Sequence, residues 1–278
     1  MTDYPQVSRL YKPSAALVQD YVLAGKPVLI EGCTESWPAR SIWTPQQMQR
    51  CYGHLEVKVR RCSTSSEVSQ LSLSDYISYA LNANESDPYY LSNWKFEFDA
   101  PDLLQHYHPP EYFPSWHSQL PDNIRPVWRW LFIGPAGSGT RMHVDVLMTS
   151  AWNAATWGRK RWLFWEPSQE SLVYSGKVDG FHPDLVKFPK FAQACALECV
   201  QGPGDIVFTP TGWWHQVRNE TFTISVTENF VNESNIHAVS KCLENPSEDM
   251  KRRYKLPDTA MLSQIIDRFI AQASQKPA

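Results

Sequence analysis

The feature that most restricts how this chain can fold is a change of cadence at Trp128. From there to Phe230 the sequence breaks into short apolar runs cut by Gly, Pro and polar pairs, the pattern of a layered or closed β-structure. The spacing predicts strands over Trp128–Ile133, Thr140–Val144, Thr149–Trp157, Lys160–Trp165, Ala196–Val200, Asp205–Thr209, His215–Asn219 and Thr221–Phe230, with a loop stretch from Glu166 to Phe188. Tight turns are expected at Gly202–Asp205 and Pro210–Gly212, where Gly and Pro supply the required backbone angles. Strands in this rhythm suit a jelly roll, that is, a double-stranded β-helix. The 12 Trp, 12 Tyr and 12 Phe agree, because such side chains fit a pleated, half-buried surface.

The flanks read differently. Ser14 followed by Ala15, Leu17, Val18, Tyr21 and Val22 predicts a capped amphipathic helix, and Lys26–Ile30 a strand stopped at Gly32. Thr44 and Pro45 have the chemistry of an N-cap and first helical residue. Leu55–Arg60 alternates with period two, a helix is expected from Ser72 to about Leu81, and Pro88–Trp94 reads as an aromatic strand. Beyond Asn235 helix returns, with Leu262, Ile265, Ile266, Phe269 and Ile270 on one stripe. That stripe is expected to dock on its own barrel, the alternative being a homodimer through the C-terminal helices. The expected class is therefore mainly β (α+β), with helices at both ends. Residues 1–235 form the principal domain around a barrel core of about 126–235, and 236–278 a C-terminal helical segment.

Bulk properties exclude several classes. Hydrophobic residues at 42% and charged residues at 20% describe a globular chain. A net charge of −3 gives no footprint for nucleic acid, and Lys58–Arg61 and Lys251–Arg253 read as solvated faces. No run approaches the roughly 18 apolar residues of a membrane span. Met1–Pro5 are polar with no apolar stretch behind them, so a cytoplasmic or nuclear protein with reduced thiols is expected. Cys195 and Cys199 lack the second pair that a zinc site requires.

The residues that carry chemistry are His143, Asp145 and, much later, His215. On a strand, residues i and i+2 project to one face, so one short segment can offer both an imidazole and a carboxylate to a single ion. Two His and one carboxylate leave coordination positions open, the donor set of non-haem Fe(II) oxygenases. The His-x-Asp spacing alone recurs by chance. Its weight comes from context: Thr140–Met142 lead into it, and the Pro210–Gly212 turn with Trp213 and Trp214 leads into His215. His106 and His108 share the spacing but sit beside Pro109 and Pro110, and are read as part of a surface loop.

Gly134–Thr140, His143 with Asp145, Thr149–Ala154, Gly158–Trp162, Gly204 with Asp205, Pro210–His215 and Thr227–Phe230 together resemble the Jumonji-C (JmjC) oxygenases of the cupin superfamily, nearest the phosphatidylserine-receptor-type lysyl hydroxylases. The likeness touches most of residues 26–235. It implies Fe(II) on His143, Asp145 and His215, with 2-oxoglutarate and O₂ as cosubstrates. It places Lys160 at the distal carboxylate of 2-oxoglutarate, Thr227, Asn153 and Tyr90 as hydrogen-bond partners, and Asn229 near the metal; Tyr89 takes the tyrosine role if the register slips. The implied activity is a dioxygenase hydroxylating a protein or peptide side chain. The alternatives are an N-methyl-lysine or N-methyl-arginine demethylase and a non-catalytic cupin binding module.

Overall fold

The computed structural model describes residues 4–64, 67–120, 125–244, 264–265, 267–269 and 271. The N-terminal part runs β1 (Ser8–Tyr11), α1 (Ala15–Leu23), β2 (Val28–Glu31), α2 (Ala39–Ile42), α3 (Pro45–Tyr52), β3 (Glu56–Arg61), β4 (Val68–Ser72), α4 (Leu73–Asn82), β5 (Tyr89–Trp94) and α5 (Phe96–Asp99). The expected caps form at Ser14 and Thr44, and Ser72 caps α4 in the same way, each accepting a hydrogen bond from the backbone N–H three residues on.

Eight strands then follow: β6 (Arg129–Gly134), β7 (Gly139–His143), β8 (Ser150–Trp157), β9 (Lys160–Trp165), β10 (Leu197–Gln201), β11 (Ile206–Thr209), β12 (Trp214–Asn219) and β13 (Thr223–Phe230), before α6 (Ile236–Glu244). They divide between two sheets. The order β6-β13-β8-β11 lies inside a nine-stranded sheet, and β10-β9-β12-β7 forms a four-stranded one. The chain thus crosses repeatedly between two facing layers, which is the double-stranded β-helix expected from the cadence. Ser8–Tyr11 and Val68–Ser72 were not anticipated as strands. They extend the larger sheet at its two edges, in the order β1-β2-β11 at one end and β5-β3-β4 at the other.

Strand alternation sorts the apolar residues into layers. Val28, Ile30, Trp152, Ala154, Phe208 and Val226 point outward from the larger sheet into a cluster with α1, α3 and α4. Leu29 and Val207 point inward, meeting Trp162, Phe164 and Val217 of the smaller sheet. Leu163 and Trp165 face outward from that sheet and are covered by Val173, Val178 and Phe191 of the long β9–β10 connection. Each fully buried side chain of this kind contributes about 1.5–3 kcal/mol over the exposed state.

One expectation needs correction. His106–His108 is not a free surface loop: Tyr107 is buried against Trp37, Trp43 and Trp152, and His106 Nδ1 accepts a hydrogen bond from Trp43 Nε1 at 3.1 Å. Ile265 and Phe269 of the C-terminal stripe are buried in a cluster with α6 of the same chain, while Leu262, Ile266 and Ile270 lie outside the described residues.

Gly139 tests the seam between β7 and β12. A Cβ there would stand 2.0 Å from the Val217 carbonyl oxygen, so any side chain forces the two strands apart. Gly139→Ala is expected to cost about 1–3 kcal/mol, read as a lower urea midpoint. An unchanged midpoint would show that the seam gives way freely.

Candidate metal centre

The antiparallel register of β7 and β12 sets His143 opposite His215, and the ring centroids are 4.2 Å apart. The pairing is irregular: Thr140 to His143 lie against His215 to Val217, so β7 carries one extra residue. Such a bulge bends its strand and re-aims the side chains beside it. Asp145 lies two residues past the end of β7, with extended backbone, and one ligand atom from each of the three residues lies within 4.8 Å of the others. Among the described residues this is the only such group.

Hydrogen bonding fixes what each side chain offers. His143 Nδ1 meets the Arg141 carbonyl oxygen at 2.7 Å, and His215 Nδ1 meets that of Trp213 at 3.1 Å. A carbonyl only accepts, so each Nδ1 carries the proton and each Nε2 keeps its lone pair, as metal-binding imidazoles require. Burial holds His215 well below the usual imidazole range, with His143 beside it adding to the effect, which favours the neutral, ligating form. Burial also raises the Asp145 carboxyl, opposed by His143 and by a hydrogen bond from the Asn229 side chain. Asp145 Oδ2 is buried with no hydrogen-bond partner. An orphaned carboxylate oxygen beside two aimed imidazole lone pairs fits a divalent cation, which would supply the charge that the site lacks.

A second polar group lies on the same inward face of the smaller sheet. Lys160 is 2% exposed; its Nζ donates to Tyr90 Oη at 3.2 Å and to Asn219 Oδ1 at 3.0 Å. Among the described residues no carboxylate accompanies it, and burial pushes its ammonium down to about 7. Opposite, on the larger sheet, Asn153 Nδ2 donates to Thr227 Oγ1 at 2.8 Å, leaving Asn153 Oδ1 buried and unpaired. Thr227 Oγ1 in turn donates to the Trp152 carbonyl at 3.1 Å. Asn229 donates to Thr149 Oγ1 at 2.8 Å on the metal side.

Every site residue expected from the sequence therefore lies on or beside this interior. Of the two tyrosines, Tyr90 is the one on Lys160; the hydroxyl of Tyr89 lies instead with Ser69 and Glu67. Sequence reasoning missed Asn219 and Ser138. Asn219 Nδ2 donates to Ser138 Oγ at 2.8 Å, which donates to the Pro135 carbonyl at 2.6 Å, and this relay orients the amide oxygen toward Lys160. The available signal was parity, since Asn219 shares the strand face of His215 and Val217. Cys195 is exposed and Cys199 buried, and they do not join a metal-ligating group.

A family model described as a cupin-like domain matches residues 13–236. The chain belongs to the cupin-like domain family. Among curated relatives, the cupin-like region is 37% identical over 240 residues to the lysine-specific demethylase JMJ21 of Arabidopsis thaliana, covering 80% of this chain and 24% of that protein. It is 34% identical over 231 residues to the bifunctional arginine demethylase and lysyl-hydroxylase psr-1 of Caenorhabditis elegans, covering 77% of this chain and 57% of the relative. The 2-oxoglutarate and iron-dependent oxygenase JMJD4 of Danio rerio is 28% identical over 269 residues, or 86% of this chain and 63% of its own. The chain thus spans between about a quarter and about six-tenths of the length of these cupin-like relatives. Their names agree with the JmjC resemblance of the motifs.

His215→Ala is expected to weaken Mn(II) binding by about a hundredfold or more, since even residues that only support metal ligands contribute about 10–100-fold. His182 is exposed beside Asp179 and Arg218, and His182→Ala should leave the affinity unchanged. Titration calorimetry decides; similar losses in the two variants would refute the ligand set.

Proposed function

We propose that this chain is an Fe(II)- and 2-oxoglutarate-dependent dioxygenase that hydroxylates a protein side chain, releasing succinate and CO₂. The observation that carries the reading is the pairing, inside one barrel, of a cation-seeking His143–Asp145–His215 set with a buried Lys160 that has no anionic partner among the described residues. A metal site alone fits many cupins. A metal site facing an unneutralised ammonium calls for a small ligand that chelates at one end and is anionic at the other, which is the chemistry of a 2-oxo dicarboxylate.

The ion would supply the redox chemistry that couples O₂ and oxidative decarboxylation of the 2-oxo acid to insertion of oxygen into a C–H bond. The chain's own residues bind and orient. Lys160 holds the distal carboxylate, Tyr90 and Asn219 fix the ammonium, and Thr227 and Asn153 offer hydrogen bonds from the facing sheet. Trp162 and Phe164 lie nearly parallel to the His215 ring, 6.1 and 6.0 Å away, and exclude water from that flank. A non-catalytic cupin would leave Asp145 Oδ2 and the Lys160 charge permanently uncompensated, a cost without return. Lysyl hydroxylation and arginine or lysine demethylation are the activities that the relatives' names carry. Demethylation requires the same hydroxylation at an N-methyl C–H, after which the product breaks down to amine and formaldehyde. Hydroxylation is therefore the step proposed, and a lysine or arginine side chain the substrate class.

Two outcomes are expected. With Fe(II), ascorbate and O₂, the wild-type chain should convert 2-oxoglutarate to succinate and Asp145→Ala should not; equal succinate from both would remove the reading. The second concerns pH. The bound dianion favours the ammonium form of Lys160, which in the free protein titrates at about 7. Affinity for 2-oxoglutarate is thus fully present below that value and falls as pH rises through it, by about tenfold between about pH 6 and pH 8. Calorimetry on Mn(II)-loaded protein measures this. Lys160→Ala should bind 2-oxoglutarate weakly at every pH while keeping its metal affinity, and a wild type with no slope would contradict the role given to Lys160.

A further inference from the structure

Just beyond Asp145 the backbone adopts a form that side chains resist. Leu147 (φ 53°, ψ 26°) and Met148 (φ 58°) are both left-handed, and neither is glycine. Each such residue is disfavoured by a factor of about ten. Two in succession persist only where the surroundings impose them.

The polar restraints on the turn are local or come from the neighbouring Pro210–Gly212 turn. Met148 N donates to the Asp145 carbonyl at 3.2 Å, and Thr149 donates to the Val146 carbonyl through both N and Oγ1, at 3.0 and 2.6 Å. Thr211 Oγ1 donates to the Met148 carbonyl. None of these grips the Leu147 side chain. That side chain, 3% exposed, points into an apolar cluster with Ile236, Val239 and Leu243 of α6 and with Ile265 and Phe269. Helix α6 packs directly on the Val146–Met148 turn. Phe269 itself is fully buried there.

We infer that α6, together with Ile265 and Phe269, is a positioning element of the metal site, acting through Leu147. By seating that side chain it keeps the turn left-handed, and the turn keeps the Asp145 carboxylate beside the two imidazoles. This rests on the metal-binding reading above and deepens it. With the seat emptied, Leu147 and Met148 relax toward right-handed angles, the carboxylate moves off, and the ion is left with His143 and His215. Leu147 never touches the metal; it is a positioning residue, and Phe269 and Leu243 are its support.

The test uses the full chain and Mn(II) alone, with binding measured by calorimetry at a temperature where circular dichroism shows every variant folded. Phe269→Ala and Leu147→Ala are expected to weaken Mn(II) binding by about tenfold. Val18→Ala, an equally buried truncation in α1, should stay within about twofold. The decisive arm adds Met148→Gly to each weakened variant. Glycine adopts left-handed angles freely, so Mn(II) affinity should recover most of its loss, whereas a general loss of packing would not be repaired by a glycine. Wild-type affinity in folded Phe269→Ala and Leu147→Ala, an equal loss in Val18→Ala, or no recovery with Met148→Gly would overturn the positioning role. If Phe269→Ala does not fold, the Leu147→Ala pair with and without Met148→Gly carries the same comparison. Mn(II) uptake that Asp145→Ala abolishes but Leu147→Ala leaves intact overturns this inference alone. No uptake by the wild type, or unchanged uptake by Asp145→Ala, overturns the metal reading and this inference together.

Discussion

One strand's register governs the interior. β12 lies between β7 and β9, and its two ends are paired to different purposes: His215 stands opposite His143, and Asn219 stands opposite Lys160. His215, Val217 and Asn219 share the inward face by parity alone. A slip of one residue would turn both the imidazole and the amide outward and strand Lys160 without a partner. The flanking residues resist such a slip, because Trp214 and Gln216 are held on the outer face. Trp214 packs with the apolar cover of the smaller sheet, and Gln216 bonds Asp179 and the Gly180 N–H.

The larger sheet shows how such a polar interior is tolerated. β13 alternates between two environments: Ser225, Thr227 and Asn229 face the barrel, while Ile224, Val226 and Phe230 face the aromatic cluster beneath the N-terminal helices. Glu228 breaks the apolar row but is satisfied, accepting from Tyr107 Oη and from Arg129 Nε, each at 2.6 Å, while Arg129 also pairs with Glu97. The outward face is therefore fully paired or apolar. On the sheet's inward face Asn153 Oδ1, Thr223 Oγ1 and Ser225 Oγ are buried and unpaired, as is Asp145 Oδ2 beyond β7 of the facing sheet. Unpaired buried polar atoms cost stability, and four of them line the side where ligands would enter.

Much of this was legible from one sequence, and the reason is local chemistry. Gly and Pro turns delimit each barrel strand, caps mark the helices, and two-residue periodicity tells which side chains share a face. The triad was visible because its donors are chemically distinctive. Pairing order was not, since a strand's own residues do not name its neighbour; Val68–Ser72 and Ser8–Tyr11 carry mixed, half-polar patterns and gained their strand character only by joining an existing sheet. Asn219 and Ser138 are ordinary residue types whose importance depends on meeting Lys160. The left-handed turn at Leu147 and Met148 gives no signal at all, because no Gly, Asn or Asp marks it.

These facts bear on what the working unit is. The barrel strands alone do not make the site. Tyr90 arrives on β5, from the N-terminal part of the chain, and can reach Lys160 only because Gly134 has no side chain: a Cβ there would stand 2.4 Å from the tyrosine ring. The first described residues clasp the other end, where Val7 N donates to the Glu198 carbonyl at 2.8 Å and Glu198 N to that of Pro5 at 2.9 Å, joining the edge of the larger sheet to β10. The carboxylate ligand leans, through Leu147, on helices that follow the last strand. The candidate metal ligands and the buried Lys160 group thus depend on elements from before, within and after the barrel.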